Sequence, residues 1–394
     1  MPAQASLRSL RKPGCERGHD EERAGRASQN GCAPPSIATG ARGIYARLES
    51  AGACTARQTG VPMHATTLAM IAMMAAAGLG GVAGSRASAA ELISFKVGEA
   101  APANTFLAIW MAQAAGLYEA EGLKLEIVHM VGGRESGPDL KSGRIQLMHI
   151  GMSSVVRANL AGSELRCIGS LSNVIRATMF AAPQIKTNAE LKGGIFGISS
   201  EGSESDSATT LVLQRLGFTR ADVIVKEIGT DRLTPLRNGA VAATLLGEPQ
   251  RSQALALGLR VVADLYAERI PWLYSGLTVD RGYLRGNRDT LKKFLRATIE
   301  GNYLAVTDEK RAKEVLAKEL KLTDPKIIDQ GYANFKAETP PNAEIDPTGA
   351  ENILKAVAPA NASRNLDDYI DTTLFAELRA EGFIAAMEKK YSNK

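Results

Sequence analysis

Two segments of this 394-residue chain repeat one pattern, and the repetition constrains the fold more than any other feature. LKSGRIQLMHIG from Leu140 and LRNGAVAATLLGEP from Leu236 share a Leu, a basic residue, Gly two places on, a β-branched residue two after that, and Gly at the twelfth place. Each reads as a helix end, a glycine stop and then a buried strand delivering a flexible loop. Two similar α/β lobes follow, although the stop signal is permissive and any parallel-sheet protein repeats helix, Gly and strand.

The surrounding pattern agrees. From Ser94 onward, short apolar runs alternate with longer helical patterns, as parallel strands joined by crossover helices do. Strands are predicted at 93–98, 124–129, 145–150 and 166–169, and after Pro183 at 194–198, 223–227, 241–245 and 259–263. Helices at 105–115 and 205–216 are closed by Gly116 and Gly217, and Ser153 is placed as the N-cap of the helix after the third strand. Beyond Trp272 the pattern becomes almost purely helical. Leu291, Phe294, Leu295 and Ile299 fall on one helical face, opposite Lys292, Lys293 and Arg296. Further helices are expected at 312–320, 324–335, 347–357 and 374–389, punctuated by Pro325, Pro340, Pro341, Pro347 and Pro359. This tail is expected to pack around the lobes and to hold no chemistry of its own.

The front of the chain differs from the body. LAMIAMMAAAGLGGV, from Leu68, is an uncharged apolar run followed by the small residues Ala87 to Ala89, which matches a secretory signal and is short for a membrane span. Residues 1–62 are therefore expected to be a disordered or untranslated leader, with Met63 a candidate initiator, and 63–90 a signal peptide cleaved near Ala89 or Ala90. No Cys follows the run closely, so a soluble product without a lipid anchor is expected in the periplasm. The net charge of +5 also belongs to the front, since residues 91–394 carry 37 Lys and Arg against 37 Asp and Glu. A neutral body offers no electrostatic footprint for nucleic acid. Of the four cysteines only Cys167 lies there, on an apolar stretch where it reads as a small buried hydrophobe.

The inventory for catalysis is thin. The body holds His129 and His149 at strand ends, without HExxH, paired CxxC, a Walker A loop or a GxSxG elbow. No enzyme activity, metal or cofactor is expected. What recurs is small polar loops after strands, where open α/β sheets bind ligands and helix N-termini offer free N–H donors. The candidate ligand-binding residues are Asn104 and Thr105 in the first loop, Arg134 and Glu135 in the second, and Ser153 and Ser154 in the third. In the second half they are Ser200, Glu201, Gly202 and Ser203, then Thr230, then Glu248. Arg134 could pair with an oxyanion, whereas an inward Glu201 would favour an amine. Glu204 and Asp206 are read as helix-start stabilisers. Phe106, Trp110, Trp272 and Tyr274 could wall a ring-shaped ligand, with core packing the plainer reading for Trp110.

Several stretches together resemble a known family. They are MAQAAGLYEAEGLKLEIV from Met111, the glycine pair at Gly132, the two repeats above, ELKGGIFGISSEGS from Glu190, and the terminal Glu248-Pro249. The chain resembles the solute-binding proteins of nitrate-, sulfonate- and taurine-type ABC importers, relatives of the thiamine-pyrimidine-precursor binding proteins. It departs from them where Gln146 and Ala242 replace an Asp common in both repeats. The resemblance implies an α/β, two-lobed periplasmic binding protein fold of class II with a C-terminal helical tail. Residues 91–182 would form the first part of lobe 1, 183–272 lobe 2, and 273–394 the return to lobe 1 and the tail. Crossings between lobes would lie near 178–182 and 273–279. The implied function is capture of a small polar organic solute or oxyanion by hinge closure, as a monomer that delivers to a membrane permease with its ATPase. An enzyme on the same scaffold, such as a pyrimidine-precursor synthase, and a ligand-sensing regulatory domain are the alternatives.

Overall fold

The computed structural model describes residues 91–130 and 136–392, so the expected leader and signal, Arg134 and Glu135 lie outside the described residues. The first half lays down β1 (Ile93–Glu99), α1 (Leu107–Ala114), α2 (Leu117–Ala120), β2 (Leu123–His129), α3 (Ser136–Lys141), β3 (Leu147–Ile150), α4 (Met152–Leu160) and β4 (Leu165–Val174). The second half follows with β5 (Thr178–Ala181), β6 (Ile195–Ile198), α5 (Glu204–Arg215), β7 (Ile224–Glu227), α6 (Leu233–Arg237), β8 (Ala243–Leu246), α7 (Gln250–Ala256), β9 (Val261–Ala263) and α8 (Leu265–Glu268). Next come β10 (Pro271–Asp280), α9 (Arg281–Gly286), α10 (Arg288–Thr307), α11 (Glu309–Glu319), α12 (Pro325–Glu338), α13 (Pro347–Val357), α14 (Thr373–Ala380) and α15 (Phe383–Tyr391).

The strands form two sheets of one topology, β2-β1-β3-β10-β4 and β7-β6-β8-β5-β9. In each, the first three strands run parallel and the fourth runs antiparallel to its neighbours. The repeated sequence pattern is thus a repeated structure. Gly143 and Gly239, its glycine stops, both take left-handed φ values, +74° and +72°, which an L side chain adopts at a cost. Gln146, at the first departure from the family pattern, has a local structural duty. Its Oε1 accepts from Lys96 N at 2.7 Å and its Nε2 donates to Gly143 O at 2.9 Å.

The sequence pattern predicts neither antiparallel strand. Thr178–Ala181, expected in the first lobe's crossing segment, pairs with β8 and β9 in the second sheet. Pro271–Asp280, expected as crossing and helical tail, is a ten-residue strand between β3 and β4. Each sheet therefore finishes with a strand that the chain supplies on its passage between lobes. The expected helix 374–389 is also broken, into α14 and α15, at Gly382 with φ +76°. Pro325 and Pro347, by contrast, do start helices, each behind an Asp that caps the first turn.

Burial of α10 holds the first lobe together. Phe294 stacks against Phe95 at 5.0 Å and Tyr118 at 5.5 Å between ring centroids. Such pairs contribute about 0.5–1.5 kcal/mol each beyond the area they bury. Gly301 lets α10 lie directly on α1, since a Cβ there would stand 2.4 Å from Ala108 O. The tail covers the edge of the first sheet, with Cys167 exchanging backbone hydrogen bonds with Tyr369 and Asp371 at 2.8 Å, and so shields an edge open to foreign strands.

Candidate functional site

The C-terminal ends of β1, β3, β6, β7 and β8 open onto one cavity of about 170 Å³ between the sheets. Its first-lobe wall is the 100–105 loop with His149 to Gly151 and Ser154, and its second-lobe wall includes Ser199, Ser203, Thr230 and Glu248. Arg176, Tyr274 and Ser275, from the segments that pass between the sheets, form the back. This is the position at which parallel strands leave their loops free to meet a ligand.

Six of the twelve candidate ligand-binding residues line this cavity: Asn104, Thr105, Ser154, Ser203, Thr230 and Glu248. Asn104 is itself anchored, donating from Nδ2 to Gly331 O of α12 at 2.9 Å. Ser153, Ser200, Glu201 and Gly202 fall outside the lining. Ser153 is the second residue of α4 and not its cap, which is Gly151. Glu201 is exposed, and its backbone N–H donates to Glu227 at 2.8 Å. Gly202 takes φ +70° under the Arg157 side chain. Of the four aromatic candidates only Tyr274 reaches the cavity, because Phe106, Trp110 and Trp272 are buried in cores.

The second-lobe wall is a knot of hydroxyls. Ser199, Ser203 and Ser205 Oγ atoms lie 2.9–3.0 Å from one another, and Ser203 also caps α5 by accepting from Asp206 N. Beside them stands Glu204, which sequence reasoning assigned only to helix-start stabilisation. Its carboxylate reaches across to the other lobe. Oε1 accepts from Ser153 N at 2.7 Å, and Oε2 accepts from Ser153 Oγ at 2.8 Å and Trp272 Nε1 at 2.5 Å. Burial pushes this carboxyl up to about 7, against the downward pull of the Trp272, Ser153 and Ser154 donors.

Two arginines missed by the sequence analysis complete the site. Arg176 is 3% exposed, and its Nε lies 3.1 Å from Glu338 Oε2 without hydrogen-bond geometry. Among the described residues, its Nη1 and Nη2 have no hydrogen-bond partner. Arg232 is held by its Nε, which donates to Leu245 O at 2.8 Å. Gln250 fixes the loop that carries it, accepting from the N–H groups of Arg232 and Leu233 and donating to Thr230 O. A basic residue flanking a crossing strand was the one available signal for Arg176, and charge patterning alone gives it no more weight than any other arginine.

The acidic groups are already engaged. Glu248 receives Asn334 Nδ2 at 2.8 Å, Ser252 N at 3.2 Å and Arg251 Nη1 at 3.3 Å. His149, packed edge-on to Phe106, has an Nε2 without a partner among the described residues, and burial lowers its pKa to about 4, which favours the neutral ring at neutral pH. Cys167 lies outside the lining, with its thiol pushed up to about 12 by burial. Among the described residues no cluster of three or more His, Cys, Asp or Glu could hold a metal ion, and no helix is long and apolar enough to cross a membrane.

Comparison with known proteins places this architecture. A family model described as NMT1/THI5-like matches residues 103–312, more than half of the chain. The riboflavin-binding protein RibY of Chloroflexus aurantiacus is 23% identical over 215 residues, which cover 52% of this chain and 60% of that protein. The match thus spans less than two thirds of that relative's length. The alkanesulfonate-binding protein SsuA from Xanthomonas axonopodis pv. citri, bound to MOPS, superposes with a TM-score of 0.59 at 18% identity, covering 72% of this chain and 100% of its own. The periplasmic nitrate-binding protein NrtA from Synechocystis PCC 6803 gives 0.58 at 16% identity, covering 74% of this chain and 89% of its own. The fold is the two-lobed α/β fold of periplasmic binding proteins, extended by C-terminal helices.

Proposed function

The chain belongs to the NMT1/THI5-like family, and from that premise we propose that it is an exported solute-binding component of an ABC importer, capturing a small acidic organic solute or oxyanion between its lobes. The observation that carries this reading is the orphaned donor set of Arg176. A guanidinium that is 3% exposed, with Nη1 and Nη2 unpaired among the described residues on a cavity wall, is suited to acceptor oxygens of a bound solute. An unmade hydrogen bond of a buried charged group costs more than about 1–3 kcal/mol. A carboxylate, sulfonate or similar oxyanion meets a guanidinium fork in two parallel hydrogen bonds.

Arg232 would add a second positive charge, and the free Nε2 of His149 and the Ser199–Ser203–Ser205 hydroxyls would meet the polar remainder of the solute. Capture needs no bond-making, and the buried Cys167 thiol is no nucleophile at neutral pH. A neighbouring permease and ATPase would take the solute onward. In thermal-shift screening of the purified protein against sulfonates, nitrate, carboxylates, flavins and neutral pyrimidines, the acidic solutes should raise the melting temperature. A ligand at 100 times its Kd stabilises by about 2.7 kcal/mol. Stabilisation by neutral compounds alone would remove Arg176 from the centre of the site.

A further inference from the structure

The bond between the lobes at the serine end of the cleft is made by a carboxylate of the protein itself. Glu204 stands at the first turn of α5 in the second lobe, and the partners of its carboxylate lie across the cleft or on the returning strand. They are Ser153 N and Oγ at the start of α4, and Trp272 Nε1 of β10. A second feature shows that the first lobe is shaped for this group. A Cβ on Gly151 would lie 2.3 Å from Glu204 Oε1 and 2.4 Å from its Cδ and Cγ, so any larger residue there would displace the carboxylate from this position. Donors of this kind, two of them at a helix start, are what an anion from solution would use.

We propose that Glu204 is a specificity-determining residue: it fills the α4 end of the cleft with a tethered carboxylate and so confines the acidic group of any solute to Arg176 and Arg232. The inference rests on the solute-binding reading for its biological meaning. The occupancy it describes does not require that the solute be known.

The test uses acetate, which supplies the atoms that Glu204→Ala deletes beyond Cβ. Trp110 and Trp272 are the two tryptophans of the chain, and Trp110→Phe leaves Trp272 as the reporter beside the vacated position. In full-length protein with Trp110→Phe alone, acetate should leave Trp272 emission unchanged. With Glu204→Ala added, acetate should shift that emission saturably and raise the melting temperature, and neutral acetamide should do neither. No acetate-dependent change in the double variant, or an equal change without Glu204→Ala, overturns the proposal. Should Glu204→Ala fail to fold, Gly151→Ala decides: it keeps the carboxylate but denies it space, and must alter Trp272 emission. Unchanged emission in that variant is the overturning result. Failure of the solute screen leaves this experiment standing, and failure here leaves Arg176 as the solute's partner.

Discussion

Glu338, on the last turn of α12, places Oε2 3.1 Å from Arg176 Nε and Oε1 3.6 Å from Arg269, with both the Glu338 and Arg176 side chains almost wholly buried. The tail expected to hold no chemistry therefore supplies the counter-charge for the cavity's central arginine. Asn334, one turn earlier, donates a hydrogen bond to Glu248. Breaking a buried ion pair by removing one partner costs about 3–5 kcal/mol. Glu338→Ala should thus lower the unfolding free energy by that order in denaturant titration. Glu338→Gln should fold better, since its amide oxygen can still face Arg176, and should bind the acidic solute more tightly by calorimetry, because the carboxylate that offsets the Arg176 charge is gone.

Arg176→Met should abolish the response to acidic solutes. A charge-assisted hydrogen bond contributes about 1.5–3 kcal/mol, and two of them correspond to a loss of at least about 100-fold in affinity. Arg176→Lys should recover only part of it, since an ammonium cannot present a planar fork. Equal affinity in Arg176→Met and wild type would place the solute elsewhere.

Stability should follow pH in two opposed limbs. Glu204 and Glu99 have carboxyls raised from 4.5 to about 7 and about 6, both chiefly by burial. The folded state holds their protons longer than the unfolded chain, so their contribution is fully present below about pH 4.5 and is lost as pH rises through 6 and 7. His149 is lowered from 6.5 to about 4, so its contribution is present above 6.5 and is lost as pH falls through 4. In melts from pH 4 to 8, Glu204→Gln should flatten the decline on the alkaline side, and His149→Gln the decline on the acid side. A pKa that differs by one between the folded and unfolded chain corresponds to about 1.36 kcal/mol, so the acid limb is on the order of 3 kcal/mol and the alkaline limb, which sums two carboxyls, on the order of 5 kcal/mol.

The contact of α1 with α10 should tolerate no added atom. Gly301→Ala places its Cβ 2.4 Å from Ala108 O and 2.6 Å from Ala112 Cβ, and overpacking of this kind costs about 1–3 kcal/mol. Phe294→Ala, at the centre of the Phe95–Phe294–Tyr118 stack, should cost about 3–5 kcal/mol. Both are read as shifts in the denaturant midpoint at constant slope.

Side-chain period and Gly or Pro punctuation are local properties, and for that reason the parallel strands, the glycine stops at Gly143 and Gly239 and the proline starts at Pro325 and Pro347 are legible from residue order alone. It left β5 and β10 unread because a strand supplied during passage between two sheets is recognised by the partners on either side of it. The same reason separates Glu201 from Glu204. The two share one acidic loop, and only the docking of α5 against Gly151 and Trp272 leaves one exposed and ties the carboxylate of the other across the cleft. Arg176 is the clearest instance: its role depends on Glu338, carried by a helix that the chain lays down long afterwards, and only tertiary structure brings that charge to it.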